Sequence, residues 1–251
     1  MKEKIRVATY NVGDYSGIGI AHGSEESRKA FTEVMKKTGA DLWALQEDVE
    51  FFEDEKKLSA FDEVYSKILP NYRREYTGKY NGKAFLTKFE MEEPQKIFYD
   101  PELHCSHKWF LKTKIAVNGM TLDAVCLHFD WSDNFKRTVQ IKTVCETVKD
   151  LDRCLVIGDF NPDDYDAGKK LSQRKTFPED LAHFQSLGFE PANAGRSGCF
   201  DTIVDPENFV PSPYPCDNIL VSRNVKILSV GRIAEPWMND HAILYADIEI
   251  T

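Results

Sequence analysis

At 251 residues, 42% hydrophobic and 29% charged, the chain is long enough for one large core and short for two, so a single ordered domain over residues 1–251 is expected. Its net charge of -9 argues against a protein that grips long nucleic acid through phosphates, because that takes a basic face, but suits carboxylates gathered round a divalent cation. No apolar run approaches the ~18 residues that span a bilayer and no signal-peptide core follows Met1, which points to a cytoplasmic protein.

Ile5 to Tyr10 reads as a strand that stops at Asn11, before a glycine-bearing loop over residues 12–17. Ser24 is placed to cap a helix with Glu25 and Glu26 in its first turn, Phe31, Val34 and Met35 on its apolar face, and Gly39 just past its end. A short strand, Asp41 to Leu45, then delivers Gln46 and Glu47. Leu58, Phe61, Tyr65 and Ile68 recur at helical spacing within residues 53–69, and Pro70 halts that helix. Asn71 to Tyr76 precedes the hairpin signal Asn81-Gly82 and a further strand, Lys83 to Lys88; Arg73 and Arg74 fit a solvated edge.

His104-Cys105-Ser106-His107 offers two imidazoles with no acidic or cysteine partner at a zinc spacing, so it is not read as a metal site. Trp109 to Val117 and Met120 to Leu127 form a second hairpin around Asn118-Gly119, and its second strand ends in His128, with Asp130 and Trp131 next. Thr138, Ile141, Cys145 and Val148 mark a helix. The apolar run Leu155 to Ile157 then ends in Gly158, and Asp159 and Asn161, two residues apart, leave the strand end on one face.

An acidic turn over residues 162–166 is followed by a helix from about Pro178 to Leu187, closed by Gly188. Residues 193–215 hold four prolines and little periodicity, and read as a long loop of the kind that shapes a substrate entrance. Cys216-Asp217 opens one strand, Val225 to Ile233 forms another, and Asp240-His241 stands at the mouth of the closing strand, Ala242 to Ile250. The six cysteines have no CxxC spacing and several sit inside apolar runs, so buried free thiols are expected.

Asn11, Glu47, His128, Asp159, Asn161, Asp217, Asp240 and His241 thus all fall where apolar strands meet loops. Carboxylates and amides without cysteine suit a hard cation, Mg²⁺ or Mn²⁺, and two histidines add a proton donor or a positive partner for a charged oxygen. Water attacking a phosphate ester needs those parts: a base, a charge-neutralising cation and donors to the non-bridging oxygens.

The series Thr9-Tyr10-Asn11, Leu45-Gln46-Glu47, Leu127-His128-Phe129-Asp130, Gly158-Asp159-Phe160-Asn161, Asp217-Asn218-Ile219-Leu220-Val221-Ser222 and Asp240-His241 resembles the endonuclease/exonuclease/phosphatase superfamily along nearly the whole chain. That resemblance implies an α/β fold of the DNase I type, a four-layer α/β/β/α sandwich in which two mixed β-sheets pack face to face with helices outside. It also implies a metal-dependent phosphoesterase. Glu47 would be the principal Mg²⁺ (or Mn²⁺) ligand, with Asn11 close by and Asp240 a further ligand or water-mediated neighbour. Asp159 would deprotonate the attacking water, with Asn161 holding it or a phosphate oxygen. His241, kept protonated by Asp217, would stabilise the pentacovalent phosphorus, and His128 would donate to another oxygen. Where many relatives have Gly-Asn-Ala-Ile-Leu-Ser this chain has Gly82-Lys83-Ala84-Phe85-Leu86-Thr87, which puts a cation in place of an amide. The expected substrate is a small or lipid-derived phosphoester, or a sugar or inositol phosphate. A nuclease is the nearest rival, disfavoured by the acidic balance, and a non-catalytic binding protein on the same fold has no need of Asp159, Asn161, Asp217 and His241 together.

Overall fold

Ser24 accepts a hydrogen bond from Ser27 N at 3.1 Å and so starts helix α1 (Glu25–Thr38), which ends at Gly39 in the left-handed region. The helix lies between strands β1 (Glu3–Asn11) and β2 (Leu42–Gln46), which run parallel. A second parallel pair, β8 (Met120–His128) and β9 (Cys154–Asp159), is bridged the same way by α2 (Asn134–Val148). Parallel neighbours need such a crossover, because no tight turn can return the chain to the same end of the sheet. The two strands of each pair therefore finish at the same end, and their last residues are polar: Asn11 and Gln46 in one pair, His128 and Asp159 in the other.

The remaining strands complete two mixed sheets in this computed structural model, which describes residues 2–13, 20–21, 23–48, 62, 65–75, 82–162, 179–193, 216–235, 238 and 240–251. They are β3 (Asn71–Glu75), β4 (Lys83–Thr87), β5 (Glu90–Met91), β6 (Gln95–Phe98), β7 (Trp109–Val117), β10 (Glu190–Pro191), β11 (Asp217–Val221), β12 (Val225–Ile233) and β13 (Ile243–Ile250). One sheet is ordered β12-β13-β1-β2-β4-β3; the other is ordered β10-β11-β9-β8-β7-β5, with β6 also paired to β7. Helix α3 (Glu179–Ser186) lies beside α2 in the packing. No described helix is long and apolar enough to cross a membrane.

Three apolar clusters define the layers. Val7, Leu42, Ala44, Phe85, Leu111, Ile157, Ile219 and Leu244 fill the space between the sheets. The opposite faces of the same strands, Tyr10, Trp43, Leu45 and Ile243, pack on Phe31, Val34 and Met35 of α1, while Val125, Leu127, Val156 and Leu220 pack on Ile141, Val144 and Phe184. Because each central strand is covered on both faces, its residues are buried in succession and not alternately. This is the expected four-layer sandwich.

Some expectations need correcting. The buried face of α2 is Arg137, Gln140, Ile141, Val144 and Val148, with Cys145 partly buried against the same apolar cluster, so of the expected residues only Thr138 lies beside the stripe. The pattern was misread because the stripe contains a fully buried charge: Arg137 Nε donates to Asp180 Oδ2 of α3 at 2.8 Å. The elements β5, β6, β10 and the 3-10 turn Pro101–Leu103 are two to four residues long and too short to carry a period. Residues 65–68 are helical, as expected before Pro70. Residues 53–61 of that helix, Asn81 of the hairpin signal, most of the acidic turn and the loop beyond Asn193 lie outside the described residues. The five described cysteines are free thiols.

Candidate active site

Register brings the polar residues together. His128 pairs with Asp159 at the last rung of β8 and β9, and Asp159 pairs in turn with Asp217 at the first rung of β11. In the other sheet Asn11 pairs with Gln46 at the last rung of β1 and β2, and Glu47 follows immediately. His241 precedes β13, whose partner is β1. Six chain segments thus begin or end at one edge of the sandwich.

The two sheets meet there through Asn11, whose Nδ2 donates to Glu47 Oε1 at 3.0 Å and to Asp159 Oδ2 of the opposite sheet at 3.2 Å. Its Oδ1 accepts from Gly13 N at 3.0 Å, which fixes the amide orientation. Glu47 has φ 52, a conformation a non-glycine residue adopts at a cost of roughly 1–3 kcal/mol, and Asn161 has φ 42. The strain turns the chain sharply at each strand end. Gly158, at φ 148, meets a different need: a Cβ there would sit 2.0 Å from the Leu127 carbonyl oxygen, so only glycine lets β8 and β9 approach this closely beside His128 and Asp159.

Asp159 is the hub. Its Oδ2 lies 3.4 Å from His128 Nε2 and 3.6 Å from His241 Nε2, while its Oδ1 accepts from Asn161 N at 3.0 Å and from the Cys216 thiol at 2.9 Å. His241 Nδ1 is paired with Asp217 Oδ2 at 2.9 Å, which leaves Nε2 facing the cleft. His128 Nε2 is 3.9 Å from Glu47 Oε1, and its ring stacks on His107 with centroids 3.5 Å apart. Asp130 does not enter the cleft. It accepts from Ser106 N and Ser132 N, and so ties the loop that carries His107 to the end of β8.

Burial sets the protonation states, with neighbouring charge deciding the sign. Burial and the charge of Asp217 push Asp159 up to about 7, against the opposing pull of His241 and the hydrogen bonds from Cys216 and Asn11. Burial raises Glu47 as well, opposed by the Asn11 hydrogen bond and the charge of His241. For His241 burial works downward, but the charges of Asp217, Asp240 and Asp159 and the Asp217 hydrogen bond outweigh it and hold the ring well above its ordinary value. His128 goes the other way: burial, then His107, Lys83 and His241, drive it well below, so it is a neutral imidazole. One edge of the sandwich therefore carries a cationic histidine and a neutral one.

All eight residues expected at the site lie at this edge, with two refinements. Asp240 is exposed and acts on Glu47 and His241 through its charge. Asn161 spends its side-chain amide on the Phe129 carbonyl at 3.0 Å, and its backbone N–H is what holds Asp159. Three neighbours escaped the sequence reading. Cys216 was grouped with inert core thiols, His107 lay in a motif set aside, and Lys83, noted only as an altered position, is fully buried with Nζ 4.3 Å from the centroid of the Trp109 ring. Only adjacency to Asp217 hinted at Cys216, and nothing local marked His107.

The sequence pattern of the endonuclease/exonuclease/phosphatase family matches residues 8–237. The chain belongs to this family. Solved structures of the endonuclease/exonuclease/phosphatase fold superpose on it along almost its full length: a protein of the family from Bacteroides vulgatus has a TM-score of 0.70 at 19% identity, covering 99% of this chain and 100% of that one. The corresponding protein from Beutenbergia cavernae has a TM-score of 0.73 at 13% identity, covering 98% and 72%. D. rerio TDP2 complexed with single strand DNA product has a TM-score of 0.71 at 16% identity, covering 98% and 99%. At these identities the likeness speaks for the fold alone. No curated protein matches the chain significantly.

Proposed function

We propose that this member of the endonuclease/exonuclease/phosphatase family is a metal-dependent phosphoesterase that hydrolyses small or lipid-derived phosphoesters, acting as one domain. The observation that carries the reading is the facing pair formed by Asp159 and a His241 whose far nitrogen is held by Asp217. A base and an acid 3.6 Å apart, at the meeting point of two sheets, have no role in packing that apolar side chains would not serve better.

Glu47 and Asp240 offer only oxygen donors to a cation, a set suited to Mg²⁺ or Mn²⁺ and not to zinc, and Asn11, its Oδ1 taken by Gly13 N, steadies Glu47 through Nδ2. The concentration of carboxylates at this edge, with burial raising Glu47 and Asp159, is what a site built to receive positive charge looks like. A cation held there would neutralise charge developing on the phosphoryl oxygens.

Asp159, poised near neutrality, accepts a proton from the attacking water; Asn11 and the Asn161 N–H orient its two oxygens for that task. His241 enters as imidazolium and donates Nε2–H to a non-bridging oxygen as negative charge builds, with Asp217 fixing the ring. His128, neutral and braced by His107, presents Nε2 to another oxygen without adding a second full charge. A nuclease remains the neighbouring reading on the strength of the fold likeness to a DNA-bound protein, but a chain of net charge -9 is poorly suited to a long polyanion.

Turnover of bis-p-nitrophenyl phosphate with Mg²⁺ or Mn²⁺, abolished by chelator, tests the reading, followed by a panel of sugar, inositol and lipid-derived phosphoesters and of single-stranded DNA. His241→Ala should lose about 100-fold or more in kcat. Unchanged turnover in that variant refutes the assignment.

A further inference from the structure

Cys216 has no part in the scheme above, yet its sulfur is not an inert core thiol. It immediately precedes β11, is 1% exposed, and has Sγ 2.9 Å from Asp159 Oδ1. Asp159, Cys216 and His241 each offer one donor atom, and those three atoms lie within 4.8 Å of one another. Tetrahedral zinc, with bonds of about 2.0 Å to nitrogen and oxygen and 2.3 Å to sulfur, sets its ligand atoms roughly 3.3–3.7 Å apart. The 3.6 Å between His241 Nε2 and Asp159 Oδ2 falls in that range, and the Cys216 thiol meets the other oxygen of the same carboxylate, Oδ1, at 2.9 Å.

The surroundings are those of a zinc ligand set. Asp217 binds the far nitrogen of His241 at 2.9 Å, the carboxylate-histidine arrangement that fixes the tautomer and aims Nε2 at a metal. Asn11 and the Asn161 N–H hold the Asp159 carboxylate at 3.2 and 3.0 Å. Nitrogen, sulfur and oxygen donors together favour a soft or borderline ion, in contrast with the carboxylate oxygens of Glu47 and Asp240 beside it.

We infer that Asp159, Cys216 and His241 form a thiophilic cation site, distinct in chemistry from the hard-cation site, which binds Zn²⁺ and thereby inhibits the enzyme. Binding releases the thiol proton of Cys216, the Nε2 proton of His241 and any proton held by Asp159 to solvent, leaving a thiolate, a neutral imidazole and a carboxylate on the ion. Inhibition follows because the ion occupies both Asp159 and His241, and this consequence rests on the catalytic roles proposed above. Binding itself does not.

Co²⁺ serves as the optical probe. Titrated into the full-length protein, it should give a thiolate-to-metal charge-transfer band in the near ultraviolet. Zn²⁺ should abolish the band. Cys216→Ser, checked for folding by its thermal melt, should lose the band and bind Zn²⁺ at least about 100-fold more weakly, and the Zn²⁺ concentration that halves its own Mg²⁺-supported rate should rise by the same factor. Cys216→Ala serves as the second variant. Zinc-edge X-ray absorption of the wild type should show one sulfur neighbour. A band that persists in both variants assigns it to another cysteine, and, like equal zinc affinity or a sulfur-free zinc shell, overturns the proposal. A wild type that shows the Cys216-dependent band but hydrolyses no phosphoester leaves the metal site standing and removes the catalytic reading instead.

Discussion

Replacing Gly158 by alanine tests whether the closeness of β8 and β9 is what builds the cleft. The added Cβ would lie 2.0 Å from the Leu127 carbonyl oxygen and 2.9 Å from its carbon, both backbone atoms that no rotamer change can move. A tolerable separation is roughly 3.2 Å, so the strands must part by about 1 Å at the rung next to the His128 and Asp159 pair. Overpacking of that kind costs about 1–3 kcal/mol and the unfavourable φ of 148 about 1–3 more. Gly119→Ala is the control, since Gly119 also has positive φ, 87, but nothing within 4 Å of its Cβ position; it should cost only about 1–2 kcal/mol. At roughly 2–4 °C per kcal/mol for a chain of this size, Gly158→Ala should melt several degrees below Gly119→Ala. A displacement of about 1 Å in a catalytic group should lower kcat by about 100-fold in Gly158→Ala alone. Equal melting points with equal turnover would refute the argument that this glycine sets the geometry.

Three further outcomes follow from the same structure. Asp180→Ala strands the fully buried Arg137 and should cost about 3–5 kcal/mol in urea unfolding, whereas a loss under about 1 kcal/mol would mean the pair is dispensable. Because Asp159 is raised from 3.8 to about 7 on folding and His241 is raised above 6.5, these two groups hold more protons in the folded metal-free protein than in the unfolded one, whereas His128, lowered well below 6.5, holds fewer. Between about pH 4 and 7 Asp159 therefore contributes stability that is lost as pH rises, at most about 4 kcal/mol, with His128 opposing it below about 6.5; Asp159→Asn should remove that falling component, and identical pH–stability profiles in wild type and variant contradict the assignment. Glu47→Gln should weaken Mg²⁺ activation by about 10-fold or more while leaving the chelated protein's melt nearly unchanged, since Glu47, the proposed cation ligand, is only partly buried and lies outside the apolar clusters; a collapsed melt would overturn that distinction.

The sandwich was legible because its central strands announce themselves as apolar runs and each ends in a polar residue. Tyr10 then Asn11, Leu45 then Gln46-Glu47, Leu127 then His128, and Ile157-Gly158 then Asp159 mark both the strand and the edge where it stops. What single-chain patterns conceal is side-to-side proximity. His107 reaches His128 from a loop tied down by Asp130, and Cys216 reaches Asp159 because β11 starts level with the end of β9; neither relation has a period or a spacing. Arg137 misled for the converse reason, since a buried charge satisfied by Asp180 on another helix reads as a solvent-facing residue.

The central claim is that Asp159 and His241, brought together from distant segments, perform chemistry on a phosphoryl group. The most direct measurement is single-turnover hydrolysis of a phosphodiester in ¹⁸O-labelled water with Mg²⁺, comparing the wild type with Asp159→Asn. The wild type should give one labelled oxygen in its phosphate product, and the variant a rate lower by about 100-fold or more. Label appearing in the alcohol, or an undiminished rate in Asp159→Asn, would contradict it.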